Sequence, residues 1–130
     1  MVLDRTQAPA SQPIAELAFP KPNISYSENG MPILKLESSI APIVYLELTF
    51  KSGRWYENPF GVSYYAAKLL SEGTSLYSAS QISNAFETLG TFLQIAPGID
   101  FVSIRLYTLK KNFRKSLDLL QHLLTDASFP

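Results

Sequence analysis

The sequence predicts an α+β fold, an antiparallel sheet with helices packed on one of its faces. Apolar and polar residues alternate with a period of two in residues 42–51 and again in 91–109, which is the spacing of strands with one buried face. Elsewhere apolar residues recur at offsets of three and four, as in amphipathic helices. The resulting order is two or three strands, two helices, two strands and a helix, which is typical of a layered α+β domain.

Composition excludes several classes of function. The chain has 130 residues, of which 46% are hydrophobic, enough to bury one core. Eleven basic and eleven acidic side chains cancel, so no positive excess is present to bind nucleic acid or an anionic membrane. With no cysteine the chain has no disulfide and no thiolate metal site, which favours a reducing compartment, and we expect a cytoplasmic location.

The first residues contain no apolar run long enough for a signal peptide or a membrane span. Prolines and small polar residues predominate there instead. We therefore expect residues 1–22 to form an extended arm and residues 23–130 to form the domain.

A β-hairpin is predicted in residues 24–37. Asn29-Gly30 lies between two strand-like runs, and this dipeptide tolerates the positive φ angles of a tight turn. The next strand is predicted to be half-buried, through Val44, Leu46, Leu48 and Phe50.

The first helix is predicted to begin at Asn58-Pro59, with asparagine as N-cap and proline in the first helical position. Trp55 and Tyr56 are expected to pack against this helix, with an interface anchor as the alternative. The predicted buried stripe is Val62, Tyr65, Ala66, Leu69 and Leu70. The opposite face then aligns Tyr64, Ala67, Lys68 and Ser71.

The remaining elements follow from caps and turns. Ser78 and Gln81 fit a capping box, and Gly90 ends the helix whose apolar stripe is Ala79, Ile82, Phe86 and Leu89. Two strands are joined by the turn Pro97-Gly98-Ile99-Asp100. A last helix over 111–126 has the stripe Phe113, Leu117, Leu120 and Leu124.

In this order the elements resemble the start of a domain of the insulinase/pitrilysin family of zinc peptidases, which includes processing-peptidase-like proteins. The resemblance covers residues 24–130 and implies the first half of such a domain, truncated, because family domains are larger. It rests on Asn29-Gly30, on Ser52-Gly53-Arg54 with Glu57, on a helix between Gly61 and Gly73-Thr74, on Ile82, Glu87 and Gly90, and on the leucine-rich last helix leading to Pro130.

Catalytic members of that family carry the zinc motif His-x-x-Glu-His on the helix after the glycine that Gly61 matches. The resemblance puts Tyr64, Ala67 and Lys68 at the three motif positions. A phenol is a poor zinc ligand, alanine offers no general base, and an ammonium group repels a divalent cation. His122 is the one histidine of the chain, and the family's third ligand, a glutamate, lies beyond residue 130. The resemblance therefore implies a member without zinc, cofactor or catalytic residues.

The family also contains inactive members that pair with a catalytic half and help to hold substrate. The resemblance thus implies a domain that binds peptide or supports an active zinc peptidase partner; the alternative is a purely structural assembly subunit. Peptide or partner contacts are predicted at Tyr64 and Lys68, and at Gln94 and Ile95, where the family has Asn-Ala on a strand that substrate extends. The alternative for these residues is an exposed helix face and an ordinary paired strand. An uncovered edge or apolar face further predicts a homodimer.

Overall fold

A computed structural model describes residues 6, 11, 16, 19–38 and 41–130. The chain forms two compact units, Met1–Ser39 and Ile40–Pro130. Most of the predicted arm, residues 1–22, lies outside the described residues. None of the described helices combines the length and the apolar character needed to cross a bilayer.

The first unit contains the predicted hairpin. Strand β1, Asn23–Tyr26, pairs with β2, Pro32–Lys35, in antiparallel register. Gly30 adopts a φ of +81°, and its N–H donates to the carbonyl of Ser27 at 2.9 Å. The Asn-Gly prediction is therefore confirmed, because glycine supplies the left-handed conformation that closes a three-residue loop.

The second unit is a three-stranded antiparallel sheet with helices on one face. Its strands are β3, Ile43–Phe50, β4, Phe92–Pro97, and β5, Val102–Leu109, in the spatial order β3-β5-β4. Its helices are α1, Val62–Leu69, α2, Ala79–Thr88, and α3, Phe113–Asp126, and 3₁₀ turns occur at Arg54–Tyr56 and Lys110–Asn112. The register aligns side chains of all three strands on the helix-facing side, and the buried core consists of Ile82, Phe86, Ile104, Leu106, Leu120 and Leu123. This confirms the α+β prediction.

Helix α2 begins and ends where the sequence indicates. Ser78 Oγ accepts from the Gln81 N–H, and Gln81 Oε1 accepts from the Ser78 N–H at 2.9 Å, forming a reciprocal capping box. At the other end Gly90 has a φ of +61°. Both signals are local, which explains why the sequence shows them.

The predicted start of α1 at Asn58-Pro59 is wrong. The helix begins at Val62, and its N-cap residue is Gly61 with a φ of +96°. The Glu57 carboxylate supplies the cap: Oε1 accepts from the Gly61 N–H at 2.8 Å and Oε2 from the Ser63 N–H at 3.0 Å. The cap thus comes from a carboxylate upstream of the helix, which the usual Ncap spacing does not anticipate.

The predicted buried stripe of α1 is also wrong at three positions. Val62, Tyr65 and Ala66 are exposed, whereas Ala67, assigned to the opposite face, is 6% exposed. Among the strands, the helix packs chiefly against β4, at the margin of the sheet, so only the narrow side of the helix that meets this strand is buried. Trp55 is 77% exposed, so its predicted packing against this helix is wrong as well.

The buried face of helix α3 differs from the predicted apolar stripe. Its buried residues are Ser116, Leu120 and Leu123, while Leu124 is 37% exposed. A serine can replace an apolar residue there because its hydroxyl finds partners inside the domain.

Those partners form a triangle of buried hydroxyls. Ser116 Oγ lies 2.7 Å from Thr91 Oγ1 and 3.1 Å from Thr108 Oγ1, and the two threonine oxygens are 2.8 Å apart. Ser116 Oγ also donates to the Asn112 carbonyl at 3.1 Å. Because Thr91 immediately precedes β4, the triangle ties the start of that strand to β5 and α3.

Candidate functional site

The outer edge of β4 has no strand partner among the described residues. At the turn into β5, the Gly98 N–H donates to the Phe101 carbonyl at 2.9 Å, which marks these two residues as a hydrogen-bonded pair. Hydrogen-bonded and non-bonded pairs alternate along an antiparallel ladder. The N–H and C=O groups of Leu93 and Ile95 therefore point away from β5, toward the free edge.

A cavity of about 700 Å³ lies between α1, α2 and β4. Leu93 and Ile95, the residues with outward backbone groups, also line this cavity, which we call the first cavity. On the α1 side its wall contains Ala67 and Lys68. The free edge of β4 therefore lies beside Ala67 and Lys68, two of the three positions predicted to match the zinc motif.

The three positions predicted to match the motif do not line one cavity. Tyr64 is 51% exposed and lines a separate cavity of about 400 Å³, the second cavity. Ala67 and Lys68 line the first, although Lys68 Nζ reaches a point 5.8 Å from the centre of the Tyr64 ring. The ammonium and the tyrosine ring thus meet across the boundary between the two cavities.

Gln94 and Ile95 face opposite sides of the sheet. Ile95 packs against the core, whereas the exposed Gln94 is paired with Arg105 across the strands and, by the alternation, directs its backbone groups to β5. Of this pair, only Ile95 offers backbone groups to the free edge. The predicted contacts at Tyr64, Lys68, Gln94 and Ile95 remain predictions.

The residues at the motif positions do not fit a zinc ion. The Ala67 methyl group has no donor atom, and His122 lies on α3, exposed, outside both cavity walls. In the described part of the chain, no three His, Cys, Asp or Glu side chains are grouped so that they could hold a metal. The Ala67 side chain has no carboxylate with which to activate a metal-bound water.

The second cavity lies at the other end of β4. It is formed by the 3₁₀ turn, the first turn of α1 and the turn that joins β4 to β5. The backbone of the 3₁₀ turn is bonded to that hairpin turn: the Arg54 N–H donates to the Gly98 carbonyl at 3.1 Å and the Trp55 N–H to the Ile99 carbonyl at 2.9 Å. Gly53 is necessary for this approach, because a Cβ there would lie 2.4 Å from the Ile99 carbonyl oxygen.

A polar cluster lies on the opposite face of the sheet, away from the helices. Tyr45 donates its hydroxyl to Glu47 Oε2 at 2.5 Å, and Arg105 Nε donates to Glu47 Oε1 at 2.9 Å. The hydrogen bond to Glu47 raises the pKa of Tyr45 to about 12. The hydrogen bond from Tyr45, then that from Arg105, lowers the pKa of Glu47. These groups stabilise one another and line neither cavity.

Sequence reasoning missed Leu93 and Arg54 as site residues. The outward backbone groups of Leu93 become apparent only when the pairing of β4 is known. Arg54 was noted only as part of the Ser52-Gly53-Arg54 turn. The available sequence signal was an arginine that directly follows a glycine in a predicted turn. That this arginine lines a cavity depends on the docking of two turns, which a local pattern does not show.

The family described as insulinase, peptidase family M16, matches residues 33–130. Two curated relatives, each named "Uncharacterized zinc protease", come from Rickettsia bellii and Rickettsia felis. They are 26% and 27% identical over 109 residues, which is 82% of this chain and 26% of each relative. The chain thus spans about a quarter of the length of these relatives.

Solved structures show the same fold. A crystal structure titled as a peptidase M16 inactive domain from Pseudomonas fluorescens superimposes with a TM-score of 0.80 at 23% identity, over 85% of this chain and 27% of that one. A protease from Helicobacter pylori superimposes with a TM-score of 0.71 at 18% identity, over the same shares of the two chains.

Proposed function

The chain belongs to the insulinase family, peptidase family M16, and we propose that it is a non-catalytic domain of that family that binds extended peptide or supports an active zinc peptidase partner. The proposal concerns a region about a quarter as long as its relatives. It therefore addresses what this domain contributes, whatever the remainder of a longer protein does.

The observation that carries the proposal is the identity of the residue beside the free strand edge. The family resemblance puts Ala67 at the position of the motif glutamate, and Ala67 is 6% exposed and lines the first cavity together with Leu93 and Ile95. A methyl group cannot accept a proton from water, so hydrolysis lacks its general base at this point. The strand edge next to it keeps the groups that bind a peptide backbone.

Strand addition is the binding mode that this geometry supports. The outward N–H and C=O groups of Leu93 and Ile95 are spaced to pair with every second residue of an extended peptide. The first cavity could receive peptide side chains, and its wall carries both Lys68 and Glu72. The Pseudomonas structure titled as an inactive domain supports the idea that this fold is also used without catalysis.

Zinc content provides the first test. Elemental analysis and calorimetry with added Zn²⁺ are expected to show no stoichiometric zinc in the purified chain. The double variant Tyr64→His/Lys68→His serves as the positive control, because histidines four residues apart on a helix can share a zinc ion. One tightly held zinc in the unaltered chain, or peptide hydrolysis abolished by a chelator, would overturn the proposal.

Peptide binding is tested with an immobilised library of extended peptides, followed by backbone N-methylation of an enriched peptide. Strand addition predicts that methylation at alternate residues abolishes binding, while methylation at the residues between them is tolerated. Equal sensitivity at every position would contradict the proposed mode.

A matched pair of variants links this binding to the first cavity. Ser83 and Asn84 are neighbouring exposed residues of α2, but only Ser83 lines the cavity. Ser83→Trp is expected to weaken peptide binding about tenfold by partly filling the cavity, whereas Asn84→Trp leaves it within about twofold. Equal effects of the two substitutions would show that the first cavity does not take part in peptide binding.

A purely structural assembly subunit is the second candidate, favoured by one observation. Trp55 and Phe60 are 77% and 78% exposed, and exposed aromatic side chains are typical of protein interfaces. If the same library enriches no peptide while partner proteins are captured, this candidate replaces the first. Sedimentation analysis of the purified chain separately tests the predicted homodimer.

A further inference from the structure

The second cavity combines an aromatic wall with a cation that has no acidic partner in the described part of the chain. Phe60, Tyr64 and Tyr65 supply the aromatic surface, and Arg54 lies in the same wall. The Arg54 guanidinium carbon is 4.6 Å from the centre of the Phe60 ring. Within residues 19–38 and 41–130, no carboxylate lies at ion-pair distance from this guanidinium.

The acid closest in sequence is engaged elsewhere. Glu57 also lines the second cavity, but its two oxygens accept from the N–H groups of Gly61 and Ser63 at the start of α1. A guanidinium stacked on an aromatic ring keeps its N–H groups in the plane available for a planar acceptor. The donors of Arg54 therefore remain open to a ligand.

The backbone of Arg54 is held by two docked turns. Its N–H is bonded to the Gly98 carbonyl, and the close approach at Gly53 holds the two turns together. Gly98 directly follows Pro97, the last residue of β4, and both residues line the second cavity. The cation is thus positioned at the end of the free strand edge.

A peptide on that edge would reach both cavities. Leu93 and Ile95 line the first cavity and Pro97 lines the second, and at about 3.3 Å per residue the span from Leu93 to Pro97 is about 13 Å. A strand of about six residues covers this distance. The backbone of such a bound peptide would pair with Ile95, and one end of the peptide would lie next to Arg54.

We propose that the second cavity selects peptides that carry a carboxylate two residues from a large apolar side chain, on the same face of the strand, with Arg54 binding the carboxylate and the aromatic wall receiving the apolar group. This selectivity rests on the proposed peptide binding. The first cavity does not share this preference for carboxylates, because its wall contains two acidic side chains, Glu72 and Glu87, beside Lys68. The carboxylate can belong to an acidic side chain or to the peptide's C-terminus, since both present the same planar pair of oxygens.

The test uses N-acetylated peptides of about six residues, built from alternating valine and threonine, with phenylalanine two residues from one varied position so that both side chains share a face. Glutamate, glutamine or lysine occupies that position, which is moved along the peptide, and dissociation constants are measured by fluorescence anisotropy. The unaltered chain is expected to prefer glutamate to glutamine about tenfold at the best position. A second series compares free and amidated C-termini of the glutamine peptide. A preference for the free acid identifies the terminus as the source, and its absence identifies the side chain.

Variants assign the preference to Arg54. Arg54→Gln is expected to reduce it to within about twofold, and Arg54→Glu to invert it in favour of the lysine peptide, a gain that a misfolded chain would not show. Lys51→Gln is the matched control, because Lys51 also lies over an aromatic ring, 5.3 Å from the centre of Tyr56, but outside the second cavity.

The outcomes separate the two proposals. Peptides that bind the unaltered chain without regard to charge overturn the carboxylate pocket and leave strand addition intact. An acid preference that survives Arg54→Gln also overturns the pocket. If no peptide of the series or the library binds, both proposals fall.

Discussion

Replacing the buried hydroxyls of Thr91, Thr108 and Ser116, singly and together, tests how the start of β4 is held. Three hydroxyls supply three protons, and Ser116 donates its own to the Asn112 carbonyl. The two threonine hydroxyls then donate either both to Ser116 Oγ or one to the other, across contacts of 2.7 to 3.1 Å. In either arrangement Ser116 Oγ accepts at least one threonine proton, and its loss leaves one buried threonine proton without a partner.

The magnitudes follow from this arrangement. Ser116→Ala is expected to lower the free energy of unfolding by about 2 kcal/mol, the range for a buried donor left unsatisfied. Thr91→Val or Thr108→Val each leaves every remaining proton with an acceptor and is expected to cost about 1 kcal/mol. The triple variant removes all the donors and acceptors together, so it should cost only about 1 to 2 kcal/mol, against about 4 for the sum of the single changes.

Urea unfolding followed by far-ultraviolet circular dichroism measures these free energies. The decisive quantity is the difference between the triple variant and the summed single variants. A triple variant that loses the full sum would show that the three hydroxyls act independently, and the network reasoning would be refuted.

Three further predictions concern two residues that hold the turns beside the second cavity and the polar cluster on the opposite face of the sheet. Glu57→Ala should lower the free energy of unfolding by about 1 kcal/mol in urea titrations, because two N–H groups at the start of α1 lose their acceptor. Gly53→Ala should cost about 1–3 kcal/mol in thermal unfolding, because its Cβ would lie 2.4 Å from a hairpin carbonyl oxygen. The hydrogen bond to Glu47 raises the pKa of Tyr45 from 10.0 to about 12. The stability that this hydrogen bond contributes is therefore present below pH 10 and is lost as pH rises toward 12. Ultraviolet titration should accordingly show Tyr45 ionising at lower pH in Glu47→Gln.

Matched changes control these measurements. Glu72→Ala, just beyond the other end of α1, and Ser52→Ala, next to Gly53, should each stay within about 0.5 kcal/mol of the unaltered chain. A Glu57 effect no larger than that of Glu72 would contradict the capping role. Tyr45→Phe identifies which tyrosine is observed, and an unchanged titration in Glu47→Gln would contradict the assigned hydrogen bond.

The fold could largely be predicted from the sequence because its signals are local. The Asn29-Gly30 turn, the Ser78 capping box and the strand alternation each depend on residues a few positions apart. The face of α1 could not be predicted in this way. Its apolar residues Val62 and Tyr65 suggested a core stripe, but the helix lies beside an edge strand, where Ala67 is the residue that becomes buried.

For the candidate site, the residue types alone determined that Tyr64, Ala67 and Lys68 cannot reproduce a zinc motif, because ligand chemistry belongs to the side chain itself. Only the tertiary structure decided that β4 is an edge strand with no outer partner among the described residues, that Leu93 and Ile95 direct backbone groups toward that edge, and that Arg54 lies at its end. These properties depend on which strands pair and which turns dock, and such contacts join residues too far apart in the chain for any local pattern to record them.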